Sequence, residues 1–467
     1  MEALAQKLPL SRNKAFALVL VLFALARNLS VERAIRSKPL KMNTFWTSVH
    51  AIIFITRLIP TLTARRLLGI KTVTSNWWAH EEAAMRIAHF VAKLGDVYVP
   101  NVFINGLTNL QSMVARPMHG LFVTEIPPER LGFGENSSGR KKFGKSVECS
   151  GKWLTLDEKL SYETPGVVKI LYIHGGGFVI GQAGMYLSAH GQLLKLLRER
   201  GLTAGILDVE YPLAPQVKHP VPIETCLHVY DYLVHEKGII LPEDLIVGGD
   251  SAGGNIALNV GLRATRWGCA GVLLFSPWVG HSHDTESHEE FADIDFIGGK
   301  LLLEQYQEAH VQGGREQSIV DQSLHVFKKE LPFCALPPVW IAVGGFEVFK
   351  DDVLRLAREL ELHEANITLH YGPEVPHIFP MLWPLFIDKS GPALEECADF
   401  CVERLLAARE QARVMARNFT ESDLTKMKRV LSSTDVSTDL MKSFAESDAN
   451  KLKLVLSSSN FADLINA

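Results

Sequence analysis

The chain has 467 residues, 47% hydrophobic and 21% charged, with a mean hydropathy of +0.09. Those values suit a globular protein with a sizeable core and exclude a disordered or fibrous one. Forty-eight basic against 52 acidic residues leave a net charge of −4, which excludes the basic excess of a nucleic-acid binder.

The N-terminus carries Lys7, Arg12 and Lys14, then an apolar run at 15–26, then Arg27. Twelve residues are too few for an ordinary spanning helix, but they suit a signal-peptide core, and Ala24-x-Ala26 resembles a cleavage site. A second apolar run at 51–55 is flanked by Trp46 and Arg57, with Arg65 and Arg66 close behind. Short apolar runs with aromatic and cationic flanks suit an interfacial anchor; core helices of a capping domain are the plainer alternative. Residues 75–115 read as helical, and 126–165, rich in Pro, Gly, Ser, Lys and Glu, as a loop or hairpin region.

From 167 the pattern alternates. Strands are expected at 167–173, 203–209, 244–248, 271–276, 339–343 and 367–371, with helices at 186–200, 222–237 and after residue 254. Near-continuous apolar strands between helices predict a mostly parallel sheet covered on both faces, an α/β architecture. The segment 278–335 breaks the rhythm and is expected to form a helical cap. The tail holds a repeat of period 25, Phe419-x-Glu421-Ser422-Asp423 returning as Phe444-x-Glu446-Ser447-Asp448. It reads as two capped helices of an accessory arm. The domain boundaries read this way are 1–60 (signal or anchor), 61–165 (cap helices and linker), 166–410 (catalytic) and 411–467 (tail).

The chemistry centres on Gly249-Asp250-Ser251-Ala252-Gly253-Gly254, which stands between a strand and a helix. A strand turning sharply into a helix through G-x-S-x-G lifts the serine out at the strand end, above the helix N-terminus. A serine hydroxyl needs a base to take its proton, and the base needs a carboxylate to hold its tautomer. Both are expected further along the chain, just beyond strand ends. His377 sits in the Gly/Pro loop after strand 367–371. Glu347 follows strand 339–343 most closely. Asp351 and Asp352 are the alternative acids, though such a pair more often starts a helix. His174-Gly175-Gly176-Gly177-Phe178 follows strand 167–173, and three glycines let backbone N–H groups crowd a substrate oxygen. The expected donors are Gly175, Gly176 and Ala252. No Lys-Ser/Thr follows the glycines, so a Walker loop is excluded. The six cysteines have neither C-x-x-C nor zinc spacing, so neither a disulfide framework, a metal nor a cofactor is inferred.

Taken together, His174-Gly-Gly-Gly-Phe178, Tyr211-x-Leu213-Ala214-Pro215, Gly249-Asp-Ser-Ala-Gly-Gly254, Ser276-Pro277-Trp278 and His377-x-Phe379 resemble the hormone-sensitive-lipase-like branch of the α/β-hydrolases. The resemblance spans about 167–405. It implies an α/β-hydrolase fold with Ser251 as nucleophile, His377 as base and position 347 as acid. The branch usually has Asp where this chain has Glu347, and a charged residue where it has Gln216. Apolar segments ahead of such a domain are most similar to fungal steryl acetyl hydrolases.

The implied function is a serine carboxylic ester hydrolase acting through an acyl-enzyme on a lipophilic small-molecule ester, with acetylated sterols among the candidates. An acyltransferase or amidase using the same triad, or a non-catalytic binding protein, is the alternative. The expected location is a membrane, the endoplasmic reticulum first, with the secretory pathway or a soluble state as alternatives. Oligomeric state is not readable. Activity is expected to rise through about pH 6 to 7, where an ordinary histidine loses its proton.

Overall fold

The computed structural model describes residues 76–92, 108, 113, 115–264, 268–297, 299–328 and 336–417. The apolar N-terminal runs and the repeat tail lie outside them. The chain divides into two units, Met1–Leu94 and Gly95–Ala467. In the first, helix α1 (Ala79–Ala92) opens with Glu81 accepting the Trp78 N–H at 2.6 Å and carries an i,i+4 Glu82–Arg86 pair at 2.8 Å. Among the described residues no helix is long and apolar enough to cross a membrane.

The second unit is built on one eight-stranded sheet. Its strands are β1 (Phe122–Ile126), β2 (Ser150–Thr155), β3 (Val168–Ile173), β4 (Ala204–Glu210), β5 (Leu245–Asp250), β6 (Gly271–Phe275), β7 (Val339–Gly344) and β8 (Ile367–Gly372). They lie in the order β1-β2-β4-β3-β5-β6-β7-β8. The β1–β2 and β2–β4 pairs are antiparallel and the rest parallel. The sheet therefore starts at 122, not at the expected boundary of 166. The polar 126–165 region hid β2, whose Trp153 and Leu154 are buried against β4.

Alternation along each strand sends neighbours to opposite faces. Leu171, Ile173, Val247 and Ile341 face one core, together with Ile256 and Val260 of helix α5 (Ser251–Ala264). Ile170, Tyr172, Ile246 and Trp340 face the other. That second core is closed by helices α3 (Leu187–Glu199) and α10 (Ile387–Arg417). The remaining helices are α2 (Ser138–Phe143), α4 (Val221–Asp231), α6 (Glu286–Glu290), α7 (Lys300–His310), α8 (Gly314–Val320) and α9 (Lys350–Leu362). The expected helical insert thus holds three short helices, α6 to α8, between β6 and β7.

The parallel register aligns the C-terminal strand ends: Ile173 pairs with Gly249, Asp250 with Phe275, and Gly344 with Gly372. Ser251, Glu347, His377 and the glycines at 175–177 lie at or just beyond strand ends of this side. In an open parallel sheet this is where ligands bind.

Candidate active site

Ser251 is the first residue of α5 and takes φ +53, the left-handed region, immediately after β5. A non-glycine residue there costs on the order of 1–3 kcal/mol and persists only when its surroundings over-determine it. The surroundings are backbone. A Cβ on Gly253 would stand 2.1 Å from the Ile173 carbonyl oxygen, and one on Gly249 would stand 2.4 Å from that of Gly253. The end of β3 and the first turn of α5 therefore touch along their main chains. The Trp278 N–H also donates to the Ser251 carbonyl at 2.9 Å. Five of the seven non-glycine residues with positive φ among those described lie in these strand-end loops: Phe178, Ser251, Ser276, Glu374 and Ile378. The left-handed residues thus gather beyond the C-terminal ends of the strands.

Asp250, fully buried, anchors the elbow. Its carboxylate accepts the Tyr172 hydroxyl at 2.9 Å, the Tyr186 hydroxyl at 2.7 Å and the Gly175 N–H at 2.9 Å. Burial pushes its pKa up to about 6, and the three donors offset part of that rise. This bond corrects the expectation for Gly175. Its N–H points to Asp250, because a buried carboxylate left without donors is costly, and so it does not supply an oxyanion hole. The candidate donors are then the neighbouring amides of Gly176 and Gly177 and that of Ala252. Gly176 and Gly177 stand at φ +112 and +62, which only glycine takes readily. Ala252 is in the first turn of α5, whose N–H groups have no partner within the helix. Three identical glycines in a sequence do not say which amide is already engaged.

The acid and base loops meet at the ends of β7 and β8. A Cβ on Gly344 would lie 2.5 Å from the Val375 carbonyl oxygen and 2.6 Å from that of Pro376, so the loop after β7 rests on the loop holding His377. Glu347 Oε2 is 3.6 Å from His377 Nδ1, an ion-pair distance beyond hydrogen-bond range, and both side chains are buried. Glu347 Oε2 instead accepts the Ser276 hydroxyl at 2.6 Å, and Ser276 Oγ accepts the Ile378 N–H at 3.0 Å. Ser276 thus ties the acid to the residue after the base. Its only signal in the sequence was its place in Ser276-Pro277-Trp278. Burial pushes Glu347 up to about 8 and His377 down to about 4, the latter below the 6 to 7 expected of an ordinary histidine. Both shifts have one cause, the cost of charge in a dry site.

Asp351 and Asp352 belong to the first turn of α9, the bland alternative for such a pair. Asp351 accepts the Ser287 N–H at 2.8 Å, and Asp352 lies 3.8 Å from His288. A line of rings joins the two halves of the site: Trp278, whose N–H holds Ser251, stacks on Phe349 at 5.8 Å, and Phe349 meets the His377 ring edge-on at 5.2 Å. Nucleophile, acid and base expected from the sequence are therefore gathered at one end of one sheet. Among the described residues no group of three or more His, Cys, Asp or Glu could hold a metal ion.

A family model described as an alpha/beta hydrolase fold matches residues 170–381. An esterase of Acinetobacter venetianus is 28% identical over 223 residues, which cover 46% of this chain and 67% of the relative. An acetyl esterase of Salmonella typhi is 26% identical over 247 residues, covering 51% and 73%. Among solved structures, a Pyrobaculum calidifontis esterase matches with a TM-score of 0.54 at 18% identity, covering 67% of this chain and 94% of its own. A bacterial heroin esterase matches with a TM-score of 0.53 at 23% identity, covering 66% and 92%. Sheet order, elbow and matched segment agree: the chain has the α/β-hydrolase fold.

Proposed function

We propose that the chain is a serine hydrolase of carboxylic esters, working through an acyl-enzyme. The observation that carries the reading is Ser251 held left-handed at the end of β5, with the Glu347–His377 pair at the same end of the sheet. The esterase and acetyl esterase among the relatives support the class of bond cleaved. In this reading Ser251 Oγ attacks the ester carbonyl while its proton passes to His377 Nε2. The developing oxyanion meets the N–H groups of Gly176, Gly177 and Ala252 near the positive end of α5. The alcohol leaves with the proton from His377, and water then repeats the sequence on the acyl-enzyme.

The reading extends to a lipophilic alcohol, with acetylated sterols as candidates and the N-terminal apolar runs as a membrane hold. Those runs, each flanked by cations or Trp, are its support. The test of the class is labelling of the folded protein by a fluorophosphonate together with hydrolysis of acetyl to long-chain esters. Labelling and turnover lost in Ser251→Ala support it, and a wild type that neither labels nor turns over ends it. Fractionation of full-length protein and of a form lacking residues 1–60 tests the membrane hold. Full-length protein released by high salt alone ends that part.

A further inference from the structure

The glycines that let amides approach a substrate oxygen also leave those amides loose, because a residue without Cβ does not restrict its own backbone. Donors that stabilise a transition state must be fixed beforehand, so Gly176 and Gly177 need fixing from outside. Helix α7, in the insert expected to be only a cap, reaches this loop with two buried residues one turn apart. A Cβ on Gly177 would stand 2.2 Å from Tyr306 Cδ2 and 2.7 Å from Cε2, so the Tyr306 ring fills the space a side chain at 177 would need. The His310 ring stacks on the Phe178 ring, with centroids 4.7 Å apart and planes 27° apart. His310 Nδ1 donates to the Tyr306 carbonyl, which joins the two within the helix. Phe178 stands at φ +63 and Gly177 at +62. For Phe that backbone costs on the order of 1–3 kcal/mol and persists only where contacts hold it. The Phe178 carbonyl accepts the Ala214 N–H at 2.9 Å, and the His219 N–H in turn donates to the His310 carbonyl at 2.7 Å. The loop is therefore held by two segments that are themselves joined.

We propose that Tyr306 and His310 are positioning residues for the reaction: from α7 they fix Gly177 and Phe178, and so aim the amides of the Gly176–Gly177 stretch at the developing oxyanion. The proposal deepens the ester-hydrolase reading and rests on it. In the acylation step the Ser251 O–H bond breaks, the Oγ–carbon bond forms, the proton goes to His377 Nε2, and the carbonyl π pair moves onto the substrate oxygen. Tyr306 and His310 exchange no proton in that step. They keep the donors where the charged oxygen arrives, so that nothing has to reorganise as the charge develops. The atoms of Tyr306 that face Gly177 are Cγ, Cδ2 and Cε2. The role therefore needs the ring and not the hydroxyl.

The test compares Tyr306→Ala with Tyr306→Phe in the full chain, using p-nitrophenyl acetate as substrate and 1,1,1-trifluoroacetone as inhibitor. The ketone takes Ser251 Oγ onto its carbonyl and leaves a charged oxygen on the same donors, so its Ki reads the oxyanion site. For Tyr306→Ala the expected result is a kcat lower by roughly 10- to 100-fold, a KM changed less than about threefold, and a Ki raised by the factor that kcat/KM loses. Tyr306→Phe keeps the ring and stays within about threefold of wild type in kcat and Ki. A folded Tyr306→Ala with wild-type kcat and Ki overturns the proposal. So does a fall in kcat with an unmoved Ki, which puts the defect outside the oxyanion site, and so does a loss carried by KM, which makes Tyr306 a pocket wall alone. A Tyr306→Phe as impaired as Tyr306→Ala overturns it too. Where Tyr306→Ala does not fold, His310→Ala removes the ring stacked on Phe178 and is read by the same quantities, and wild-type kcat and Ki there overturn the proposal. A wild type that neither labels with a fluorophosphonate nor turns over refutes the hydrolase reading instead, so the two failures are distinct.

Discussion

The nucleophile elbow and the acid–base loops are held by different forces. Around Ser251 the constraints are backbone on backbone: carbonyls of Ile173 and Gly253 occupy the space where a Cβ would go, and the serine takes φ +53. Around His377 the constraints are side chains: Glu347 shared with Ser276, Asp295 on the Val348 amide, and Phe349 and Phe296 against the ring. A steric constraint is all or none. An electrostatic one is graded and responds to pH. Substitutions at the elbow should therefore abolish, and substitutions in the loops should tune.

The largest expected effect is at the nucleophile and base. Ser251→Ala and His377→Ala each lower turnover by roughly four to six orders of magnitude, and the double variant is little worse, because the triad acts as one unit. Single-turnover kinetics check this, and additive losses would break it. Gly253→Ala comes next, placing a Cβ 2.1 Å from a main-chain oxygen that cannot rotate away. Overpacking of this kind costs about 3 kcal/mol or more, read as a lowered denaturation midpoint with activity lost alongside.

Glu347→Gln sharpens the other side of the comparison. Turnover falls by about two to four orders of magnitude, less than for Ser251→Ala, since the nucleophile and the base both remain. The acidic limb of kcat/KM stays in place, because Glu347 is already uncharged where His377 takes up its proton. Stability does change with pH. The folded pKa of Glu347 is raised from 4.5 to about 8, so between those values the native state holds a proton that the unfolded chain has released. The stability this group contributes is present below about pH 4.5 and is lost as pH rises towards 8. Glu347→Gln has no such loss, so its Tm relative to wild type improves from pH 5 to pH 8. A constant difference would argue against a protonated Glu347.

The smallest effect is at Ser276→Ala. It removes the hydroxyl bridging Glu347 Oε2 and the Ile378 N–H. The expected cost is about 1–3 kcal/mol in stability for the buried groups left behind, with roughly tenfold in kcat and little in KM. Thermal denaturation and steady-state kinetics on one preparation separate the two.

Much of this was written in the sequence. Near-continuous apolar runs in β3 and in β5 to β7 specify buried parallel strands, because a sheet covered on both faces buries every position. Gly249-x-Ser251-x-Gly253 specifies the elbow, because backbone sterics act over five residues. Chain order and strand ends then single out Glu347 and His377 over Asp351 and Asp352. What the sequence could not supply is any fact joining residues far apart in the chain. β2 was hidden in polar surroundings, since its partner β4 begins 49 residues after it ends, and pairing is a long-range property. The Gly175 N–H was already engaged by Asp250, 75 positions away. Ser276, Asp295 and the 3.6 Å approach of Glu347 to His377 were likewise decided only by folding. Side-chain electrostatics depend on where burial and neighbours put a charge, and that is fixed by the tertiary structure.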